Sequence, residues 1–216
     1  MEIFEGVWKE KKKLLTKNLV PGKRVYKEKL IKIKNIEYRE WIPNRSKPAA
    51  GIMKGLKNFP LKKGIKILYL GLASSTTASH FSDIISKEGI LYGVEISKRS
   101  LRDSLSVAEA RGNIVCINKN ARKPQDYPWV EKVDFVFQDI ASNDQPEILI
   151  RNCKTFLKPG GYAMLSLKSR SMNVVKEPKD VYKEVGEKLK KEFKIIEKVE
   201  LDPYEKDHML FVLKWK

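Results

Sequence analysis

Apolar runs that suit buried strands alternate with amphipathic stretches from residue 65 onward. Residues 65–70 are rich in strand formers and break at Gly71, and residues 90–94 form a second apolar run that ends at Glu95. Between these runs, residues 78–85 carry apolar side chains at helical spacing. Continuous apolar runs are typical of parallel strands that are buried on both faces. The pattern predicts a strand, a tight turn, a helix and a second parallel strand.

The same alternation continues toward the carboxyl terminus. Pro146 and Pro178 are each suited to the first turn of a helix, and Pro159-Gly160-Gly161 predicts a turn. Strands that alternate with helices predict an α/β fold built on a mostly parallel sheet, with a terminal antiparallel hairpin. The further predicted elements are helices at 98–111, 146–156 and 178–193, strands at 114–117, 133–137 and 162–167, and hairpin strands at 193–201 and 208–215.

The first 45 residues show short alternating patterns instead of helical periodicity. The Pro21-Gly22 turn divides them, and lysines occupy the polar positions. This pattern predicts short antiparallel strands with one wet face. An aromatic and basic stretch then leads into a helix expected at about 48–56. We therefore predict a small basic β-rich amino-terminal domain over residues 1–50 and a larger domain over residues 51–216.

One polar position follows each strand of the alternating pattern. These positions are Gly71, Glu95, Asn120, Asp139 and Lys168. Because the carboxyl ends of parallel strands lie at one edge of a sheet, these residues should meet in a common crevice. That edge is the expected ligand site.

The first turn narrows the class of ligand. An acid roughly 20 residues beyond such a turn is placed to accept hydrogen bonds from ribose hydroxyls, which suits Glu95. The turn has one glycine followed by Leu72 and Ala73, so it is a poor cradle for a pyrophosphate, and no P-loop motif occurs. S-adenosylmethionine has a ribose and no phosphate. From the loop alone, a methyltransferase and a dinucleotide enzyme remain open.

Composition indicates a globular protein with one substantial core. The chain has 216 residues and 42% hydrophobic content, without an apolar run of membrane-spanning length or an amino-terminal signal peptide pattern. We expect the protein to stay in the cytoplasm or an equivalent compartment. Cys116 and Cys153 are far from CxxC spacing, so reduced thiols are expected and a metal site is not.

The net charge of +17 is large for this length. Residues 1–60 hold 16 Lys and Arg against 6 Asp and Glu, so the excess is concentrated near the amino terminus. A lysine-rich surface that serves solubility or thermal adaptation is one explanation. A nucleic-acid partner explains the excess of positive charge better.

Ten short motifs occur in order along nearly the whole chain. They are YREW at 38–41, RSK at 45–47, LYLGLASSTTASHFSDI at 68–84, YGVEIS at 92–97, NAR at 120–122, VDFVFQDIAS at 133–142, DQ at 144–145, FLKPGG at 156–161, LSLKSRS at 165–171 and LDPYEKDH at 201–208. With these motifs the chain resembles the fibrillarin family, in its short archaeal form without a glycine-arginine-rich extension. The resemblance implies an S-adenosylmethionine-dependent RNA ribose 2'-O-methyltransferase with a Rossmann-like sheet, acting on rRNA and tRNA within box C/D guide ribonucleoproteins.

The chain departs from the family pattern at three positions of the expected cofactor site. The family usually has glycine where this chain has Ser75, aspartate where it has Asn120, and glutamine where it has Ser142. Asn120 can still accept a hydrogen bond from an adenine amino group. Ser75 and Ser142 are expected to weaken cofactor affinity without abolishing binding.

The resemblance also implies which residues hold S-adenosylmethionine. Glu95 is the residue most directly supported by its position. Thr76 and Thr77 could instead only cap the following helix, as could the other hydroxyls of residues 74–77. The implied cofactor-binding set is Gly71, Thr76, Thr77, Glu95, Ile96, Asn120, Ala121, Asp139, Ile140, Ala141 and Ser142.

The implied catalytic set is Lys47, Asp139, Lys168 and His208. Lys168 would act as general base if burial and neighbouring cations favour its neutral form. Asp139 would orient that amine, Lys47 would hold the target phosphate or ribose, and His208 would position the nucleotide or share the proton relay. The alternative is that both lysines are ordinary solvated side chains and that the histidine is structural. His80, on the first helix, is expected to be structural.

Arg45, Lys47 and Arg170 are the expected RNA-binding residues. The resemblance implies three kinds of partner: a box C/D guide RNA with its target RNA, a Nop-domain scaffold protein, and a kink-turn-binding ribosomal-type protein. No membrane partner is expected. Two other readings stay open: a non-catalytic RNA-binding subunit with a methyltransferase fold, and a nicotinamide-dependent oxidoreductase, which the loop disfavours.

Overall fold

The computed structural model describes all of residues 1–216 and contains two sheets. The amino-terminal sheet is antiparallel and has the strand order β1-β2-β3-β5-β4. This confirms the small β appendage that the alternating pattern predicts. Its strands are β1 (Glu2–Phe4), β2 (Val7–Glu10), β3 (Lys13–Lys17), β4 (Leu30–Ile33) and β5 (Ile36–Trp41).

The larger sheet has seven strands in the order β11-β12-β10-β9-β6-β7-β8. Five strands are mutually parallel, and β12 lies antiparallel between β10 and β11. The predicted mostly parallel sheet with a terminal antiparallel hairpin is therefore confirmed, and the last strand is inserted beside β10. The strands are β6 (Lys66–Leu70), β7 (Ile90–Val94), β8 (Ile114–Ile117), β9 (Val133–Gln138), β10 (Leu157–Lys168), β11 (Phe193–Glu200) and β12 (His208–Trp215).

Six α-helices connect these strands, and five of them match predicted helices within a few residues. The fifth helix, only four residues long, was not predicted, because so short a segment shows no apolar periodicity. The strand β10 also begins earlier than predicted, since its register shift between Leu157 and Tyr162 absorbs the Pro159-Gly160-Gly161 segment. The helices are α1 (Lys47–Met53), α2 (Thr76–Ile85), α3 (Lys98–Arg111), α4 (Gln145–Phe156), α5 (Ser169–Met172) and α6 (Pro178–Lys190).

The amino-terminal sheet shares a core with one face of the larger sheet. Val7, Leu14 and Trp41 belong to the same buried cluster as Phe81 on α2 and Phe135 on β9. Trp41 also stacks on His80, with ring centroids 5.1 Å apart. The apolar faces of the two sheets therefore stabilise one another through α2. The division at residue 50 stays a prediction.

A buried charge network joins the amino-terminal sheet to α2 and α3. Arg39 is fully buried, and its guanidinium donates to Glu28 at 2.6 Å and to Asp83 at 2.9 Å. Arg111 donates to the other oxygen of Asp83. Two guanidinium groups thus face two carboxylates, so the network is neutral. Burial, followed by repulsion from Arg39, lowers the pKa of Arg111 to about 9, which leaves it charged at neutral pH.

His80 completes this network as a neutral ring, in agreement with its expected structural role. Burial, followed by Arg39 and Arg111, holds the pKa of His80 well below its usual value. Thr16 donates its hydroxyl proton to Asp83, so Nδ1 of His80 must donate to Thr16 at 2.7 Å. The hydroxyl of Tyr26 then lies 2.7 Å from the accepting Nε2.

None of the helices is both long enough and apolar enough to cross a bilayer. Cys116 and Cys153 are free thiols, the first half-buried and the second buried.

Candidate active site

The carboxyl ends of the parallel strands form one continuous crevice, as expected from the positions of the polar residues. The backbone pairing extends past the strand ends: Gly71 donates to Val94 at 2.9 Å, and Asp139 donates to Leu70 at 3.0 Å. Two adjoining cavities open along this edge, and Gly71, Ala73 and Asp139 line both of them. We call them the cofactor cavity, over β7 and β8, and the acceptor cavity, over β9, β10 and β12.

The turn after β6 has a strained backbone. Gly71 has φ +87°, and a Cβ at this position would overlap the carbonyl oxygen of Asp139. Ala73 and Ser75 also have positive φ, 48° and 61°, which is uncommon for residues other than glycine. The family's glycine at position 75 therefore has a physical reason. The turn brings the chain close to Asp139 at the junction of the two cavities.

The expected capping of α2 by the hydroxyls of residues 74–77 is wrong in its detail. The helix does begin at Thr76, but Ser75 at the cap position makes no side-chain hydrogen bond to the helix. Its Oγ is buried without any partner. The left-handed backbone at Ser75 provides the reason, since capping residues usually have extended dihedral angles.

The cofactor cavity has a volume of about 210 Å³ and a mixed polar and apolar lining. Glu95 accepts the backbone N–H of Ala73 at 2.8 Å with one carboxylate oxygen and that of Ser97 at 2.8 Å with the other. Each oxygen keeps a lone pair for a ligand hydroxyl. The backbone thus fixes the orientation of the acid expected to bind ribose. The predicted residues that line this cavity are Gly71, Glu95, Ile96, Asn120, Ala121, Asp139, Ile140 and Ala141.

Two asparagines hold the far end of the cofactor cavity. The side-chain amide of Asn118 donates to the carbonyl oxygens of Glu95 and Ile96, at 2.9 and 3.2 Å. The Oδ1 of Asn120 accepts the backbone N–H of Arg122 at 3.0 Å. An aspartate could accept the same N–H, so the substitution at position 120 preserves the local turn.

Ser142 lies outside both cavities. Its hydroxyl accepts from Arg122 at 2.6 Å and donates to Asp144. Arg122 in turn donates twice to Asp144, at 2.8 Å each. The side chain of Ser142 therefore contributes to a surface ion-pair cluster beside the cofactor cavity, and its expected role in cofactor binding stays a prediction.

The acceptor cavity, about 460 Å³, contains the four residues expected to be catalytic. Lys47 is the first residue of α1, Asp139 follows β9, Lys168 ends β10, and His208 begins β12. The residues come from opposite ends of the sequence and meet because β12 inserts next to β10. The cavity is also lined by Arg45, Gly71, Thr76, Thr77, Ile140 and Ala141 from the predicted sets.

Lys47 lies between two carboxylates. Its Nζ is 3.3 Å from Asp139 and 3.7 Å from Glu205. Burial acts to lower the pKa of Lys47, but attraction to Asp139 and Glu205 outweighs burial and leaves the pKa above its ordinary value. Lys47 is therefore an ammonium group that holds Asp139 in place and can donate to a substrate oxygen.

Lys168 and His208 are direct cross-strand partners in the antiparallel pair of β10 and β12. Opposed residues in such a pair project to the same face, which explains why both line the acceptor cavity. His208 is buried, and its Nδ1 lies 2.7 Å from the carbonyl oxygen of Lys206. Because a carbonyl only accepts, Nδ1 carries a proton, and Nε2 is the ring nitrogen left for another partner. Lys168 is exposed, so the burial that its expected role requires is absent in the free chain.

Two residues that the sequence analysis did not assign hold this arrangement together. The buried side chain of Gln145 accepts the backbone N–H of Lys168 at 3.0 Å and donates to the carbonyl oxygens of Lys168 and Ser142, at 3.1 and 2.7 Å. Glu205 is the second carboxylate on Lys47. Gln145 lies in the motif DQ and Glu205 in the motif LDPYEKDH. These motifs were the signal in the sequence that could have identified the two residues.

The remaining predicted residues have local partners. Thr77 is buried, and its hydroxyl donates to Ser46 at 2.9 Å, which ties the RSK motif to α2. Arg170 lies outside both cavities: its guanidinium contacts Asp207 at 3.3 Å and donates to the carbonyl oxygen of Val174 at 3.0 Å. Arg45 is exposed at the rim of the acceptor cavity. Arg45 is thus the free cation of the three expected to bind RNA.

A family model described as fibrillarin matches residues 1–216. A curated relative, the fibrillarin-like rRNA/tRNA 2'-O-methyltransferase of Thermococcus gammatolerans, is 55% identical over 203 residues, which cover 94% of this chain and 90% of the relative. The corresponding protein of Methanocaldococcus jannaschii is 48% identical over 222 residues, covering 100% of this chain and 96% of the relative.

Three solved structures are similar over most of their length. The fibrillarin pre-rRNA processing protein of Methanococcus jannaschii has a TM-score of 0.95 and 47% identity, covering 100% of this chain and 96% of the other. Aeropyrum pernix fibrillarin with natively bound S-adenosyl-L-methionine has a TM-score of 0.87 and 46% identity, covering 93% and 88%. A fibrillarin/Nop5p complex has a TM-score of 0.93 and 38% identity, covering 100% of both chains.

Proposed function

The chain belongs to the fibrillarin family, and we propose that it transfers a methyl group from S-adenosylmethionine to the ribose 2'-hydroxyl of rRNA and tRNA at guide-selected sites. The observation that supports this proposal most directly is the junction of the two cavities at Gly71 and Asp139. On one side lies a fixed ribose-binding acid, and on the other lie two cations and a histidine. Methyl donor and acceptor can therefore meet over Asp139.

The cofactor cavity suits S-adenosylmethionine and is poorly suited to a dinucleotide. Glu95 can accept hydrogen bonds from both ribose hydroxyls, while Asn120 and Ala121 lie where the adenine would be held. The turn at Gly71 offers no glycine-rich cradle for a pyrophosphate. When bound, the cofactor supplies an electrophilic methyl group. The apolar side chains of Ile96 and Ile140 would cover its adenosine.

The acceptor residues have distinct tasks. A ribose hydroxyl is a weak acid, so it reacts only if its proton is withdrawn as the oxygen forms the new bond to carbon. Lys47 stays protonated and would orient the ribose or its phosphate by donating hydrogen bonds. Asp139 holds Lys47 and places negative charge beside the site of methyl transfer, which stabilises a positively charged donor.

Two groups are placed to accept the proton of the 2'-hydroxyl. Lys168 is exposed and carries no carboxylate partner, and a bound RNA strand would cover it. In the neutral ring, His208 offers the lone pair of Nε2 because Lys206 occupies Nδ1. We assign the general base to Lys168 and the positioning of the nucleotide to His208. The roles would be reversed if Lys168→Arg kept most of the rate while His208→Gln lost it.

The partners of this reaction follow from the family. A Nop-domain protein is supported by the fibrillarin/Nop5p complex, which aligns with the whole chain. We further propose a box C/D guide RNA that selects the target and a kink-turn-binding ribosomal-type protein that assembles with the guide. The protein would work in the cytoplasm of a cell without a nucleus. In this arrangement, sequence information lies in the guide, and the chain itself contacts backbone.

Calorimetric titration tests the first half of the proposal. S-adenosylmethionine should bind the isolated chain, and NAD should not bind at comparable concentrations. Reconstitution with scaffold, kink-turn protein and guide RNA tests the second half by methyl transfer from labelled cofactor to a complementary target. A chain that binds the cofactor but never transfers methyl in that complex would be a non-catalytic subunit.

A further inference from the structure

A third cavity, of about 500 Å³, adjoins the acceptor cavity on the side of the amino-terminal sheet. Arg45, Ser74 and Thr76 line both cavities, so the two spaces are continuous. Its outer wall is formed by Lys23 and Arg24 from the loop between β3 and β4, and its opposite wall by α3. We call it the flanking cavity. Of the site residues predicted above, only Arg45 and Thr76 line it.

The flanking cavity presents cations that have no internal partner. Lys23, Arg24 and Arg45 are exposed and form no ion pair, whereas Lys47 is paired with Asp139 and Arg111 with Asp83. The acidic residue on the lining is Asp103, on α3. The free cations therefore outnumber the acid, and an anionic ligand would be attracted to this wall.

The loop that carries Lys23 and Arg24 is held rigidly despite having no regular secondary structure. Asn18 donates to the carbonyl oxygen of Lys23 at 3.1 Å. The buried carboxylate of Glu28 accepts the backbone N–H groups of Val25 at 3.0 Å and of Tyr26 at 2.8 Å. Long irregular loops in compact domains are usually functional, and pinning by buried groups pre-organises this one.

Tyr26 connects the buried network to the free cations. Its hydroxyl donates to Nε2 of His80 at 2.7 Å, and the Glu40 carbonyl oxygen lies 3.0 Å from the same hydroxyl oxygen. Its ring lies under the guanidinium of Arg45, with the ring centroid 5.9 Å from Cζ. This cation–π contact restrains Arg45 without using its N–H donors, which stay free for a phosphate.

We propose that the flanking cavity binds the phosphate backbone next to the methylated nucleotide, with Lys23, Arg24 and Arg45 as its phosphate ligands. This inference rests on the proposed function, because the acceptor ribose must lie in the adjoining cavity. An RNA strand seated there has its next phosphates within one nucleotide of Arg45. Guanidinium groups bind phosphate through paired hydrogen bonds, so the cavity fixes the direction of the strand over Asp139.

The first experiment measures binding by the full chain without methyl transfer. The double variant Lys23→Ala with Arg24→Ala is compared with Lys12→Ala and Lys32→Ala, which removes two exposed charges from the same sheet away from the cavity. Binding of a labelled single-stranded oligoribonucleotide is followed by anisotropy over a salt series. Loss of two phosphate contacts should reduce the slope of log affinity against log salt by about 1.4, and the control should change it far less. Equal changes in both variants would overturn the proposal.

The second experiment tests the location of the contact in the reconstituted guide complex. Target RNAs carry one neutral methylphosphonate at a phosphate flanking the acceptor nucleotide. With wild-type protein, one flanking position should slow single-turnover transfer about tenfold, the loss expected for one charged contact. The Lys23→Ala, Arg24→Ala protein should be insensitive to that substitution, because the partner has already been removed. Additive losses would refute the assignment.

The two proposals fail in different ways. If the wild-type complex transfers no methyl group while the salt slopes still differ between the two double variants, the proposed function is wrong and the phosphate site stands. If transfer proceeds normally and neither the salt slope nor the methylphosphonate effect depends on Lys23 and Arg24, the flanking cavity is not an RNA site. Calorimetry with S-adenosylmethionine should give the same affinity for both double variants, which checks their folding.

Discussion

Two clusters of charged side chains lie on the two sides of the turn that precedes α2, and they differ in how their charges are balanced. In the buried network, Arg39, Arg111, Glu28 and Asp83 are at most 7% exposed, and the guanidinium and carboxylate charges cancel. In the acceptor cavity, Lys47 and Asp139 form a pair that is 24% exposed on each side, and Lys168 is exposed and unpaired.

Charged residues of the same chemical types therefore serve structure in the buried network and function in the acceptor cavity. A buried ion must be paired and hydrogen-bonded, so the network specifies how the amino-terminal sheet docks onto α2. A cation that lacks a partner costs little when it faces water, and it keeps its donors free for a substrate. The first cluster should therefore control stability with little direct effect on chemistry, and the second should do the reverse. Substitutions at four residues test this expectation.

Lys168→Met should give the largest effect. Removal of the proton acceptor should lower the single-turnover rate in the guide complex by roughly 100- to 10000-fold, with cofactor affinity and thermal stability unchanged. Lys194→Met, at an exposed position on β11, is the matched control and should have the wild-type rate.

Lys168→Arg distinguishes a base from an electrostatic group. A guanidinium does not lose its proton near neutral pH, so this variant should be almost as slow as Lys168→Met. If it keeps most of the rate while His208→Gln loses it, the proton acceptor is Nε2 of His208, and the assignment made above is wrong.

Arg39→Met should give the next largest effect, on stability. The substitution keeps an aliphatic stem but leaves Glu28 buried without its guanidinium partner, and breaking a buried pair in this way costs about 3 to 5 kcal/mol. Denaturant unfolding measures the change. Lys13→Met breaks the partly exposed pair with Glu40, at 3.4 Å, and should cost less than about 1 kcal/mol. An Arg39→Met protein as stable as wild type would show that the network does not hold the sheet.

Glu95→Ala tests the cofactor cavity. Loss of a hydrogen bond to a charged group should weaken S-adenosylmethionine binding by roughly 1.5 to 3 kcal/mol, measured by calorimetry. Glu95 also accepts two backbone N–H groups, so Glu95→Gln, which keeps one acceptor oxygen, should lose less affinity. Glu109→Ala removes an exposed acid from α3 and serves as the control. Equal affinity for Glu95→Ala and Glu109→Ala would remove Glu95 from the site.

The sequence predicts the residues of the acceptor cavity far better than those of the buried network. Asp139 and Lys168 follow apolar runs that any parallel sheet would bring to one edge, so their meeting follows from topology alone. The burial of Arg39 has no such local signal. It depends on Glu28 from an irregular loop and on Asp83 from α2, and no periodicity relates these three positions.

The same limit applies to the residues that support the active site. Gln145 contacts Lys168, which lies 23 positions further along the chain. Glu205 contacts Lys47 from the opposite end of the chain. Both residues lie in motifs, but a motif does not show which of its side chains contacts which group elsewhere in the chain. The exposure of Lys168 agrees with the alternative that this lysine is solvated in the free chain.

Ser75→Gly should give the smallest effect and tests where the molecule stores strain. The strain lies at the turn before α2: Ser75 has φ 61°, and its buried Oγ has no partner. A left-handed backbone costs a non-glycine residue roughly 1 to 2 kcal/mol, and an unpaired buried hydroxyl adds to that. Glycine relieves both costs, but its greater conformational freedom in the unfolded chain offsets about 0.4 to 1 kcal/mol of the gain in stability.

The net expectation for Ser75→Gly is a gain in the free energy of unfolding of about 1 kcal/mol, measured by denaturant unfolding. Ser86→Gly is the matched control, because Ser86 also has a positive φ, 62°, but lies at the far end of α2. If glycine at 75 also tightens S-adenosylmethionine binding and glycine at 86 does not, the strain at the turn opposes the geometry that the cofactor requires. A lower free energy of unfolding for Ser75→Gly would instead mean that a hydrogen bond of the serine hydroxyl outweighs the backbone strain. The turn would then be internally balanced, like the buried network.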